Sequence, residues 1–336
     1  MARYSFGQSG SYFVSAILGI TQVGWFGVSV VMLALPISKT YDLPIWPVII
    51  VLGALMTFSA YFGVKSLAIL SFIAVPAIAI LGCYSTGISL SNVGGFYNLN
   101  NIVETDALSI TAALGMVIGS FISGGTLTPD FTRFSKTPRI AVSSTIMAFF
   151  LGNILMFLFG AIGGLSTGLP DISDVMIAQG LVLPGIIILG LNIWTTNDNT
   201  IYAASLAFSN ITKIEKRKLV IVNGVIATIF SIILYDNFTS FLSFLSAFIP
   251  SLGAIIIADY FFVQKSAYKE DFMKKSFKAI NPIAFLAFII GTIFSYFPGI
   301  ACLNAVLGSM LSYILFSKAL EYVSLSKKLS SLKLNK

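Results

Sequence analysis

The chain has 336 residues, 57% of them hydrophobic and 10% charged, with a net charge of +7. A soluble domain carries roughly 25% charged residues, and a chain this apolar has too little polar surface to face water, so a soluble globular fold is excluded. Histidine is absent, which removes the commonest general base and metal ligand.

Apolar runs of about 20 residues recur from end to end, the length that a hydrocarbon slab roughly 30 Å thick requires. They predict an all-α integral membrane protein with ten transmembrane helices, at 10–37, 45–64, 66–90, 107–128, 138–166, 181–208, 217–235, 239–263, 281–297 and 299–318. Turn signals separate them: Leu43-Pro44 before the second, Thr137-Pro138 opening the fifth, Asn281-Pro282 opening the ninth, and Phe297-Pro298-Gly299 before the tenth. The first residues lead into the first run without a small-residue cleavage pattern, so no cleavable signal peptide is expected. Cys83 and Cys302 lie inside apolar runs without CxxC or metal spacing and read as packing residues.

The charges orient these spans. With ten crossings, nineteen of the twenty Lys and Arg residues fall on the side of the N-terminus, and only Lys39 falls opposite. Retention of basic residues on the cytoplasmic side puts both termini in the cytoplasm, and one span more or fewer would scramble the segregation. The positive charge therefore reports topology and membrane lipid rather than nucleic acid, and the basic tail Lys327–Lys336 reads as a solvated anchor near anionic lipid.

Several spans carry polar or helix-breaking residues, which are expensive in lipid unless they face a cavity or each other. In the first, Gln22 and Trp25 are three apart and share a face; amide and indole could read the edge of a flat heterocycle and stack on its ring, or simply pack. In the third, Pro76 bends the helix, as Pro250 does in the eighth. The fourth contains Ser120-Phe121-Ile122-Ser123-Gly124-Gly125-Thr126, where paired glycines predict local unwinding that exposes backbone to a ligand; glycine-mediated close packing is the alternative. In the sixth, Asn192, Thr195, Thr196 and Asn199 recur at spacings of three and four and share one face. Uncharged oxygens in a stripe suit a monovalent cation or a neutral polar solute, or an interhelical hydrogen-bond seam. Asp198 lies off that face by about 100°, to pair with another helix or hydrate. Asp259 sits at a helix end as a terminal hydrogen-bonding group.

No HExxH, paired-carboxylate or nucleophile–base arrangement accompanies these residues, so no catalytic site is expected. The segments Thr21-Gln22-Val23-Gly24-Trp25-Phe26-Gly27, 119–126, 171–180, Asn192-Ile193-Trp194-Thr195-Thr196-Asn197-Asp198-Asn199 and Ile257-Ala258-Asp259-Tyr260-Phe261, in that order, resemble the nucleobase–cation symporter family, and within it the bacterial cytosine permeases. The resemblance runs from about Arg3 to the last span.

The resemblance implies a LeuT-like fold of two inverted five-helix repeats followed by two accessory helices, with substrate and cation at the midplane. On that template residues 1–336 form one transporter domain: 1–90 the remainder of the first repeat, 107–263 the second repeat, 281–318 the accessory helices, and 319–336 a cytoplasmic tail. By residue match, Trp25 and Phe121 would sandwich cytosine. Gln22 and Asn192 would bond its polar edge, with Ser120, Ser123 and backbone near Gly124 assisting. Thr195 and Thr196 would offer hydroxyl oxygens to sodium. The implied activity is import of cytosine by sodium or proton symport across the bacterial inner membrane, with a purine, hydantoin or allantoin permease as the alternative. For proton coupling, Asp198 and Asp259 are the first acids to consider. The family has two further helices before the segment that begins at Arg3. A separately encoded N-terminal fragment is therefore an expected partner, and a non-transporting remnant the competing expectation.

Overall fold

Helix starts follow the local turn chemistry. Thr137 accepts the Ile140 N–H at 3.3 Å, with Pro138 at the first helical position. Asp171 accepts from Ser173 N–H at 2.8 Å, and Asn281 from Ile283 N–H at 3.2 Å, ahead of Pro282. Each oxygen satisfies one of the N–H groups that a helix N-terminus leaves unpaired.

The computed structural model describes residues 1–99, 101–102, 109–169, 171–264, 268 and 276–334. In chain order its helices are α1 (Ala2–Phe6), α2 (Gly10–Tyr41), α3 (Ile45–Tyr61), α4 (Val64–Asn92), α5 (Phe96–Leu99), α6 (Ile110–Thr132), α7 (Pro138–Thr167), α8 (Ile172–Ala178), α9 (Val182–Thr212), α10 (Lys216–Ile229), α11 (Ser231–Asp236), α12 (Phe238–Val263), α13 (Pro282–Phe294) and α14 (Ala301–Leu334). Single wide π turns interrupt α7 at Ala148–Gly152 and end α12 at Asp259–Val263.

The ten predicted spans fall on α2, α3, α4, α6, α7, α9, α10 with α11, α12, α13 and α14. Three differences stand out. The seventh is divided at Phe230. The tenth runs on helically to Leu334 through the expected tail. The short helices α1, α5 and α8 were not anticipated. Residues 107 and 108 of the fourth span lie outside the described residues, as do the side chains of Lys65, Lys265, Lys269, Lys274, Lys275, Lys327, Lys328, Lys333 and Lys336 from the charge map.

Among the described residues, six helices are long and apolar enough to cross a membrane: α2, α4 from Leu67, α6, α7, α12, and α14 as far as Val323. The helices α3 and α13 are apolar but shorter. The 31-residue α9 is not among the six because its polar run 192–199 lowers the local hydropathy. Phe72, Ile69 and Phe58 are among many large apolar side chains that point outward, where lipid rather than water is the compatible solvent.

The chain divides into two compact units, Met1–Leu18 with Leu108–Leu127 and Thr239–Lys336, and Gly19–Ala107 with Thr128–Phe238. In the first unit α13 packs closely on α14: Gly308 lies under the Phe294 ring and Gly291 beside the Ala305 carbonyl. The N-terminal segment is strapped to the start of α13. Gln8 and Ser9 N–H donate to the Lys278 and Ala279 carbonyls at 2.8 Å, and Asn281 N–H donates to the Phe6 carbonyl at 2.9 Å. Gly7, at φ +87°, permits this approach, since a β-carbon there would lie 2.7 Å from the Lys278 carbonyl oxygen.

In the second unit a core of Phe26, Val30, Ala34, Ile49, Met56, Ile193, Ile201 and Val220 joins α2, α3, α9 and α10. Small residues set the α3–α10 spacing, as is usual where lipid offers no hydrophobic drive between helices. Gly53 meets Thr228, and Gly224 meets Thr57. Gln179, at the end of α8, is held by α4: its amide donates to Ser89 Oγ at 2.9 Å and accepts from Ser85 Oγ at 2.7 Å.

Candidate substrate and cation site

Gln22 and Trp25 occupy one face of α2. Gln22 is 5% exposed, and its Nε2 has no hydrogen-bond partner among the described residues. Leaving a buried amide unpaired costs about 1–3 kcal/mol, so the group is prepared for an acceptor. Trp25 is half-buried and meets Phe238 edge-on, with ring centroids 5.8 Å apart.

On α9 the predicted stripe spends its protons on its own helix. Thr195 and Thr196 Oγ1 both donate to the Asn192 carbonyl at 2.9 Å, and the Asn199 amide donates to the Thr195 carbonyl at 2.9 Å. With their protons committed, the two threonine oxygens can only accept, which is what a hard monovalent cation takes. Asn192, Thr195 and Asn199 are half-buried and Thr196 is exposed.

Between Thr196 and Asn199, Asn197 and Asp198 are fully buried, as is Ser205 further along α9. Asn197 Nδ2 donates to the Phe26 carbonyl at 3.4 Å and lies 3.1 Å from Met56 Sδ, joining α9 to α2 and α3. Asp198 pairs with another helix: Ser59 Oγ on α3 donates to Asp198 Oδ1 at 2.5 Å and accepts the Trp194 indole N–H at 2.8 Å. Sequence reasoning missed Ser59, and it placed Asn197 and Gln179 inside quoted segments without giving either a role. The available signal was a polar side chain inside an apolar run, which lipid tolerates only when it is partnered.

Ser120, Phe121, Ser123 and Gly124 lie on α6, in the first unit. Here the expected unwinding is corrected: α6 is continuous from Ile110 to Thr132. Ser120 Oγ donates to the Val117 carbonyl at 2.8 Å and Thr126 Oγ1 to the Ile122 carbonyl at 2.9 Å, so the hydroxyls bond back to the helix rather than opening it. Each glycine costs a helix only about 1 kcal/mol, whereas each backbone group unpaired in lipid costs several. The backbone near Gly124 is therefore committed to the helix. Glycine-mediated packing accounts for Gly119, which abuts Ser246, and for Gly253, where a β-carbon would lie 3.2 Å from Thr126 Oγ1. A β-carbon at Gly124 would meet nothing within 4 Å. Ser123 is buried and Phe121 is 39% exposed. Helices also run through Pro76 and Pro250.

Asp259, buried at the end of α12, accepts the Tyr268 and Tyr313 hydroxyls, each at 2.7 Å, and the Gln264 amide at 3.2 Å. Cys83 and Cys302 are free thiols, the first exposed and the second buried.

The family described as permease for cytosine/purines, uracil, thiamine and allantoin matches residues 1–315. The chain belongs to that family. The permease is 49% identical over 321 residues to the cytosine permeases of Escherichia coli K12 and O157:H7, a match covering 95% of this chain and 76% of each relative. Its fold is that of Mhp1. An inward-facing Mhp1 structure superposes with a TM-score of 0.77 at 17% identity, covering 96% of this chain and 77% of that one. A closed Mhp1 with bromovinylhydantoin bound, described as a nucleobase-cation-symport-1 family transporter, gives a TM-score of 0.75, covering 97% and 78%. The permease is thus a multi-pass membrane protein with the all-α, LeuT-like fold expected from the resemblance, and a transporter rather than an enzyme.

Proposed function

We propose that this permease is a secondary active transporter that imports cytosine by sodium symport. The observation that carries the reading is Gln22: a buried amide, its Nε2 without a hydrogen-bond partner among the described residues, one helical turn from the half-buried Trp25. Cytosine is a neutral planar ring with donors and acceptors along one edge, so an amide and an aromatic face are the groups it needs, and no charge is required. The 49% identity to cytosine permeases supports that base over others of the family. Asn192, in the same unit, is assigned to the same substrate. The acceptor-only oxygens of Thr195 and Thr196 are assigned to the sodium ion that travels with it.

We place the protein in the bacterial cytoplasmic membrane with both termini inside. The support is the one-sided distribution of nineteen of its twenty basic residues.

Radiolabelled cytosine uptake by cells expressing the chain, with sodium or with choline replacing it, tests the proposal. Saturable, sodium-stimulated uptake is expected, competed by unlabelled cytosine more strongly than by adenine, hydantoin or allantoin. Stronger competition by one of those would move the substrate assignment. Uptake indifferent to sodium but driven by a proton gradient would replace the coupling ion. Absence of saturable uptake would overturn the reading.

A further inference from the structure

Asn197 stands between the two groups of residues assigned to transport. It is fully buried on α9, directly after Thr195 and Thr196. Its Nδ2 donates at 3.4 Å to the carbonyl of Phe26 on α2, the residue after Trp25 and one turn on from Gln22. We propose that Asn197 is a positioning residue that couples sodium binding on α9 to substrate binding on α2. This role deepens the transport reading and rests on its assignment of Thr195 and Thr196 to the cation and of Gln22 and Trp25 to the base.

The bond lies midway along a packed helix pair. A β-carbon at Gly19 on α2 would lie 2.9 Å from the Phe208 ring of α9, and one at Gly190 on α9 would lie 3.9 Å from Leu33 of α2. Residue numbers rise along one helix as they fall along the other, so the two run antiparallel over residues 19–33 of α2, roughly 21 Å of axis. Phe26 is the midpoint of that stretch. The buried Val30, Ile193 and Ile201 belong to the same core cluster as Phe26, and a polar bond in such surroundings is stronger than one in water. All of these residues belong to the second unit.

The partners fix which end of the amide faces α2. The Phe26 carbonyl can only accept, and the Met56 thioether, 3.1 Å from the same nitrogen, is a weak acceptor, so the NH2 end is turned to them. Oδ1 is left buried with no hydrogen-bond partner among the described residues. An unpaired buried oxygen opposes folding, and a leucine has nearly the same shape without that cost. Stability alone therefore does not account for an asparagine at this position.

A cation gathered by the oxygens of Thr195 and Thr196 holds the turn of α9 from which Asn197 projects. Asn197 in turn holds the Phe26 carbonyl, in the part of α2 that carries Gln22 and Trp25. Ordering of α9 by the ion thus lowers the cost of ordering the substrate face, and affinity for the base rises. By thermodynamic linkage the base tightens sodium binding by the same factor.

Equilibrium binding of radiolabelled cytosine to membranes containing the full chain, with sodium or with choline in its place, measures the coupling. In the wild type sodium should lower Kd about tenfold, inside the usual range of roughly 5- to 150-fold. In Asn197→Leu that factor should fall to about twofold or less, while Kd in choline changes by less than about twofold. A variant that only loosens the unit weakens binding in both media and keeps the ratio, as Gly53→Ala on the α3–α10 seam should. A wild-type ratio in Asn197→Leu overturns the proposal, and so does an equal loss of the ratio in Gly53→Ala.

A second measurement needs neither cytosine nor a folded Asn197 variant. Trp46→Phe/Trp194→Phe leaves Trp25 as the one tryptophan of the chain, and its emission should shift when sodium is added with no base present. No shift overturns the link between the helices. A shift in a chain that takes up no cytosine supports the link and overturns only the substrate assignment, so the two failures are separable.

Discussion

Gly53 on α3 lies against the side chain of Thr228 on α10, and one turn along the same seam Thr57 lies against Gly224. The two threonine hydroxyls donate to the carbonyls of the glycines on their own helices, Thr57 to Gly53 at 2.7 Å and Thr228 to Gly224 at 2.8 Å. Each helix thus presents a glycine notch and a threonine knob four residues apart, and the two patterns interlock in opposite directions.

Filling either notch should loosen this seam. A β-carbon at Gly53 or Gly224 would collide with the facing threonine, and overpacking of this kind costs about 1–3 kcal/mol. Gly53→Ala should therefore lower the thermal midpoint of the purified protein. Gly87→Ala on α4, where an added β-carbon meets nothing within 4 Å, should change stability by less than about 0.5 kcal/mol. Equal midpoints for the two variants would show that the seam does not constrain the helices.

Ser59 connects two groups, accepting from the Trp194 indole N–H and donating to Asp198 Oδ1. Ser59→Ala strands the Trp194 indole N–H and Asp198 Oδ1 inside the second unit. The expected loss is about 1–3 kcal/mol per stranded group. Denaturation of Ser59→Ala beside Asp198→Asn/Ser59→Ala measures it. A fall in stability no larger than that of an exposed Ser→Ala change such as Ser91→Ala would remove Ser59 from this role.

Gln22→Ala and Asn192→Ala should each weaken cytosine binding by about 1–3 kcal/mol, a five- to 150-fold rise in Kd. Equilibrium binding of radiolabelled cytosine to membranes reads this directly. If neither variant changes affinity, the substrate is held elsewhere.

Thr196→Val keeps the shape of the side chain and removes the oxygen assigned to sodium. Half-saturation for sodium in cytosine binding should rise about tenfold, the loss of one ligand worth roughly 1–1.5 kcal/mol, with Thr195→Val behaving alike. An unchanged sodium curve in both would confine the two hydroxyls to their bonds with the Asn192 carbonyl.

What lay in the sequence was the information carried by residues close together along the chain. Runs of about twenty apolar residues place helices because a bilayer demands that length and lets no backbone group go unpaired. Asn281-Pro282 and Thr137-Pro138 mark helix starts because the cap is made within three residues. The spacing of Asn192, Thr195 and Asn199 predicts a shared face, since a helix returns every 3.6 residues.

Tertiary structure decided which polar groups are satisfied, and by whom. Nothing adjacent to Asp198 announces that its partner is Ser59, 139 residues away, or that Gln179 is claimed by Ser85 and Ser89. The glycines of α6 illustrate the same limit from the other side: local propensity favoured unwinding at 120–126, but in apolar surroundings the helix is the cheaper state, and it stays closed. Partnership across helices depends on which faces meet, and that is set by packing over the whole unit rather than by any window of sequence.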